Sequence, residues 1–243
     1  MESEGAIDRQ DAPDELDSQP HDPRVVVTKG SPWRIDRGRR ERWSAPELVT
    51  KHAVDVRQVG DPVLHSPGKK PRIDKKELEP LVQRMFASMV EARGIGIAAQ
   101  QIGVPLRVVI IDVDDVGIVA VNPEVEYQSA EVDELSEGCL SVRGLYGMLE
   151  RPLIARVSAV DITGKKFTFE GEGLGAQCVL HETDHTNGIL YVDRLRTRKD
   201  LFPVERNGPE EPSADAAEGR GEKRSHRSVS GHTREEMEKA TSR

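Results

Sequence analysis

The sequence predicts an α+β fold, mostly antiparallel β-sheets around one helix that carries a His-Glu-x-x-His metal-binding pattern. Three observations predict it. Short runs rich in Val and Ile are separated by hairpin turns. Only two stretches show apolar residues at helical spacing, and one of them comes late in the chain. Strands are grouped rather than alternating with helices, which argues against a parallel βαβ sheet.

Length and charge set the frame. A chain of 243 residues can hold one domain with a real core plus extensions. The net charge of −8 gives no case for nucleic-acid binding by the chain as a whole. No apolar run approaches the roughly eighteen residues of a membrane span. Cys139 and Cys178 are the two cysteines; they do not make a disulfide scaffold and suit a reducing cytosol.

Residues 1–23 hold eight acids and one Arg and read as a disordered acidic tail, unlike a secretory or transit peptide. Residues 24–45 reverse the sign, with seven Lys or Arg against two acids and with Trp33 and Trp43 interleaved. Such a stretch could touch RNA or a ribosome surface, but a solvated linker is the preferred reading. The folded domain is therefore expected to span 46–204, after a 1–45 extension. Gly60-Asp61-Pro62 marks a turn. From Asp74, the residues Leu78, Leu81, Val82, Met85, Met89 and Val90 form an apolar stripe at helical spacing, ended by Gly94. Pro80 suits only the first turn, which puts the helix start near Lys76.

The segment Gly94 to Gly103 alternates Gly with Ile before Ala98-Ala99-Gln100-Gln101. Gly lets a backbone approach another group closely. The segment follows a helix and lacks the third Gly of a dinucleotide loop, so that reading is rejected. Gln101 could offer an amide donor to an oxyanion. Leu106–Val113 and Gly117–Val125 read as a hairpin, with further strands at 130–135, 153–162 and 166–172. Glu137-Gly138-Cys139-Leu140-Ser141 lies between strands. Residues 205–243, with nine acids and eight bases, read as a second disordered tail.

The chemistry centres on Gly173 to Asp193. His181 and His185, four apart on a helix, share a face and can point at one divalent metal. Glu182 is rotated about 100° around the axis, within reach of a water on that metal. Together these are the parts of a metal-dependent hydrolase. Asn187-Gly188 supplies the helix stop. Catalytic sites of this type use three protein ligands and keep one open position. Tyr191 stands where a metzincin has its third His, so that subclass is excluded. Cys139 is the candidate third ligand. Cys178, on the motif helix, is assigned to the pocket wall.

Together these segments resemble the peptide deformylase family. Gly94 to Gln101 matches its Gly-φ-Gly-φ-Ala-Ala-x-Gln motif, Glu137 to Ser141 its Glu-Gly-Cys-Leu-Ser motif, and His181 to His185 its His-Glu-x-x-His motif. The likeness covers about residues 55–195 and neither tail. It implies Cys139, His181 and His185 as metal ligands, with Fe(2+) as the metal and Ni, Co or Zn as alternatives. It implies Glu182 as general base, with the Gln101 amide and Leu140 backbone N–H as oxyanion donors. Gly94, Ile95 and Gly138 would line the peptide groove. The implied reaction removes the N-formyl group from the N-terminal methionine of nascent polypeptides and releases formate. A cytoplasmic monomer without membrane attachment is expected, with ribosome association open. Leu180 stands where the family has Gln, Arg143 where Pro is common, and Gln177 where an apolar residue would better suit a methionine side chain. A zinc peptidase and a non-enzymatic binder are the alternatives.

Overall fold

The computed structural model describes residues 26–29, 34–113 and 116–203. The two tails read from the sequence, and Trp33, lie largely or wholly outside them. Along the chain run β1 (Val26–Lys29), α1 (Arg37–Trp43), α2 (Pro46–His52), α3 (Lys75–Glu91), β2 (Gly96–Ala98), β3 (Val108–Val113) and β4 (Val116–Gln128). There follow β5 (Val132–Cys139), β6 (Val142–Pro152), β7 (Ile154–Val160), β8 (Lys166–Glu172), α4 (Leu174–Thr186) and β9 (Leu201–Pro203). Every pairing between strands is antiparallel, in a six-stranded sheet ordered β1-β8-β7-β4-β3-β2 and a three-stranded sheet ordered β5-β6-β9. The fold is α+β.

The large sheet is covered on both faces. Successive strand residues point to opposite sides, so the unbroken run Val108-Val109-Ile110-Ile111 feeds two cores. Val108 and Ile110 join Leu81, Val82, Met85, Phe86 and Met89 of α3. Val109 and Ile111 join Val157, Phe167, Phe169 and the α4 residues Ala176, Val179 and Leu180. The α3 stripe is therefore core, as its spacing indicates.

Helix α3 starts where Asp74 caps it, accepting from the Lys76 N–H at 2.8 Å. Pro80 sits in the second turn rather than the first. The carbonyl it deprives of a partner is that of Lys76, an exposed first-turn residue that water can serve.

Two expectations need correction. Residues 34–45 are not a solvated linker. Ile35 and Trp43 are buried in the α3 core, the Trp43 ring lies 5.9 Å from that of Phe86, and Arg40 pairs with Asp112. The folded part thus begins before Ala45-Pro46. The arginines around these two residues hide them from any reading by local composition. Likewise, Glu137 to Cys139 end strand β5 rather than lying between strands, and β6 follows at once. In β6 the inward positions include Gly147, Leu149 and Arg151. Gly147 must be small because a Cβ there would meet Tyr191 and Leu195 at 2.8 Å. Such a strand has no apolar alternation to betray it.

If α1 belongs to the core, Trp43→Ala lowers unfolding stability by about 3 kcal/mol. Chemical denaturation reads it; an unchanged midpoint would return α1 to a linker.

Candidate active site

Helix α4 crosses the large sheet and is buried from Gly175 to Thr186. Glycine makes the close seating possible: a Cβ at Gly171 of β8 would lie 2.6 Å from the Gly175 backbone. At the far end Gly188 turns the chain out at φ 75°. The helix so held presents His181 and His185 one turn apart, their ring centroids separated by 4.9 Å.

Cys139 reaches them from the end of β5. Its Sγ lies 3.3 Å from His185 Nε2, and the three donor groups of Cys139, His181 and His185 lie within 4.8 Å of one another. Sulfur and nitrogen ligands of one tetrahedral ion, about 2.3 and 2.0 Å from it, stand about 3.5 Å apart. The donor set and its spacing therefore fit a divalent metal.

The His181 ring is fixed from behind. Its Nδ1 meets Glu137 Oε1 at 2.5 Å. Burial raises the Glu137 carboxyl, but hydrogen bonds from Arg151 and His181 outweigh it and hold it at about 2. A carboxylate can only accept, so Nδ1 donates. Burial lowers the His181 imidazole, but Cys139, Glu137 and Glu182 outweigh it and raise it well above its usual range, so a metal must displace the Nε2 proton. Arg151 grips both Glu137 oxygens at 2.8 and 2.6 Å and also donates to Asp184 at 2.9 Å. Arg194 closes on Asp184 from the other side at 2.6 and 2.5 Å. Gln100 donates to the His185 carbonyl at 2.7 Å. Burial keeps the His185 imidazole well below its usual range, so it stays neutral, as a ligand must.

Glu182 is 4 % exposed, and among the described residues its Oε2 has no hydrogen-bond partner. Burial pushes its carboxyl up to about 7, against the pull of His181 and with Glu137 and Asp184 adding to the rise. Gln101 is oriented by its own backbone: Oε1 accepts the Ala98 N–H at 2.8 Å. Its Nε2 therefore faces Cys139 Sγ at 3.5 Å and Ser141 Oγ at 3.3 Å.

A pocket of about 380 Å³ opens over this constellation. Gly94, Ile95, Gly138 and Leu140 line it together with Gln101, Cys139, His181 and Glu182. Every site residue expected from the sequence is thus brought to one place, with His185 at the buried back. Cys178 is in the wall, its thiol pushed up by burial and by Glu182. Leu180 packs into the apolar core instead of facing the ligands. Sequence reasoning missed Glu137 as the partner of His181, and with it Arg151, Asp184 and Arg194. Glu137 had a signal, two residues before the candidate ligand; Arg151 had none. Among the described residues, no helix is long and apolar enough to cross a membrane.

Comparison with known proteins agrees. Residues 53–200 match the polypeptide deformylase family model. "Peptide deformylase 1" of Pseudomonas syringae pv. tomato is 47 % identical over 122 residues, covering 49 % of this chain and 73 % of that protein. "Peptide deformylase 1" of Streptomyces avermitilis is 44 % identical over 178 residues, covering 68 % of this chain and 81 % of that one. A peptide deformylase from Synechococcus elongatus, solved in complex with actinonin, superposes with a TM-score of 0.58 at 39 % identity, covering 60 % of this chain and 81 % of that one.

Arg151→Met leaves Glu137 and Asp184 as buried, under-compensated charges and is expected to cost about 3–5 kcal/mol at neutral pH. Because the folded Glu137 carboxyl lies at about 2 rather than 4.5, its stabilisation is complete above pH 4.5 and drains away as the pH falls towards 2. Denaturation across that window should therefore be less pH-sensitive in the variant than in the wild type.

Proposed function

The chain belongs to the polypeptide deformylase family, metal-dependent hydrolases that remove the N-formyl group from nascent peptides, and we propose how its own residues carry that reaction. Cys139, His181 and His185 hold the metal. The observation that carries this is the convergence of one thiol and two imidazoles within 4.8 Å, beside a buried carboxyl without a partner among the described residues. A divalent ion held there supplies Lewis acidity to the formyl oxygen and lowers the pKa of water.

Glu182 takes the proton of the attacking water and delivers it to the departing methionine nitrogen, so that formate and a free N-terminal methionine result. A buried carboxyl whose Oε2 has no partner among the described residues is free to take up and return that proton. The Gln101 Nε2 and Leu140 N–H donate to the oxyanion as the carbonyl carbon becomes tetrahedral, each contributing about 3 kcal/mol to the barrier reduction. The peptide that follows is steadied by Gln58, whose Nε2 donates to the Leu140 carbonyl at 3.1 Å. Gly94, Ile95 and Gly138 flank the formylmethionyl peptide, which lies extended along the pocket.

Fe(2+) is the proposed metal. The mixed sulfur and nitrogen set supports it and would also accept Ni, Co or Zn. The reading carries with it a cytoplasmic monomer that meets its substrates as they leave the ribosome. The exposed Arg34, Arg37 and Arg42 beside and on α1 support contact with a polyanionic surface.

Formate release from formyl-Met-Ala-Ser by protein purified anaerobically with Fe(2+) tests the assignment. Cys139→Ala is expected to lose both bound iron and activity. Glu182→Gln should keep iron and lose about 100- to 10,000-fold in kcat; full turnover by Glu182→Gln would overturn the mechanism. Gly96→Ala probes placement of the base, since a Cβ there would stand 2.6 Å from Glu182 Oε1. A fall of about 100-fold in kcat with unchanged iron content is expected.

A further inference from the structure

Gln177 lies one helical turn before His181, 8 % exposed, in the pocket wall. Its amide orientation is fixed. Nε2 donates to the Ser136 carbonyl at 3.0 Å and leans on Glu137 Oε2 at 3.5 Å. Both neighbours are acceptors, so the NH2 must face them and the oxygen must face away. Among the described residues no donor reaches Oε1, yet that atom is not sealed from solvent as Glu182 Oε2 is. Beside it the wall presents Ile95, Leu145, Tyr146, Leu174 and the thiol of Cys178, while Ser136 and Glu137 engage its own NH2 and the exposed Arg93 also lines the pocket. One pinned acceptor thus stands among the mostly apolar side chains on this side of the pocket, one helical turn before His181.

This acceptor matters when a substrate side chain fills the pocket. An apolar chain strips water from Oε1 and returns no donor, which is the costly half of a hydrogen-bond exchange. A linear chain ending in N–H restores the bond. The inference rests on the deformylase reading, since it needs the first residue of a formyl peptide to lie against this wall. We infer that Gln177 sets side-chain selectivity, widening it from formyl-methionyl peptides to those whose first residue is linear and carries a terminal N–H donor, such as glutamine. Hydrogen bonds to a donor-bearing substrate discriminate more sharply than methylene contacts do. A single residue can therefore shift the preference.

The test uses the iron-loaded full chain. kcat/KM for formate release is compared for formyl-Met-Ala-Ser, formyl-norleucyl-Ala-Ser and formyl-Gln-Ala-Ser. Wild type is expected to process the glutaminyl peptide within about 10-fold of the methionyl one. Gln177→Leu should raise the methionyl-to-glutaminyl ratio by about 10- to 100-fold, mostly through KM, with norleucine following methionine. Calorimetric affinities for the products Met-Ala-Ser and Gln-Ala-Ser should shift in the same sense.

Rejection of the glutaminyl peptide by about 1000-fold or more in wild type would overturn the inference, even if the variant does not fold. So would a ratio in Gln177→Leu within twofold of wild type. If no formyl peptide yields formate, the deformylase reading itself falls, and product affinities unshifted by Gln177→Leu would overturn side-chain selection by Gln177 as well.

Discussion

His181 can serve a metal only if its Nδ1 is occupied by a fixed acceptor, and the acceptor, Glu137, is buried. A buried carboxylate needs a counter-charge, which Arg151 supplies; Arg151 in turn satisfies Asp184, the residue before His185 on the same helix. The network is thus a loop that starts and ends on α4. It ties the imidazole to the small sheet and the helix to β6, so that the position of Cys139 at the end of β5 is set by the same hydrogen bonds that orient His181. Buried ion networks are a weak source of net stability. Here the return is geometric: each partner that neutralises a charge also fixes a ligand or its helix.

That loop explains why α4 is buried all round. One side packs Ala176, Val179 and Leu180 on the large sheet, and the other turns His181 and Glu182 to the pocket with His185 behind them. Gly171 and Gly188 let the helix backbone approach its neighbours where a Cβ could not fit. Gly96 does the same for Glu182. Close backbone approach removes water around the Glu182 carboxyl, and removal of water raises its proton affinity towards neutrality. The packing that makes the fold stable and the desolvation of Glu182 are one arrangement.

The side-chain wall of the pocket follows a different logic. It is built from residues of several elements, and the Gln177 amide in it owes its orientation to a carbonyl of β5. The strand that fixes this amide is the one that ends on the Cys139 thiol.

The α+β class, the α3 stripe, the β3–β4 hairpin, the helix holding His181 and His185 and, through resemblance, Cys139 as their partner are all legible in the chain alone. These are local patterns: a period of 3.6 or 2, a turn residue, a motif whose parts lie close together. Only the tertiary structure decided that Trp43 belongs to the core and that Glu137 to Cys139 end a strand. The same holds for Arg151, which reaches His181 through Glu137. None of these has a local signature. Trp43 is masked by the arginines around it, β6 buries a Gly and an Arg where a strand usually buries aliphatics, and a charge is recognised as structural only once its distant partner is in view. Periodicity records which face of an element is buried; it does not record what the element is buried against.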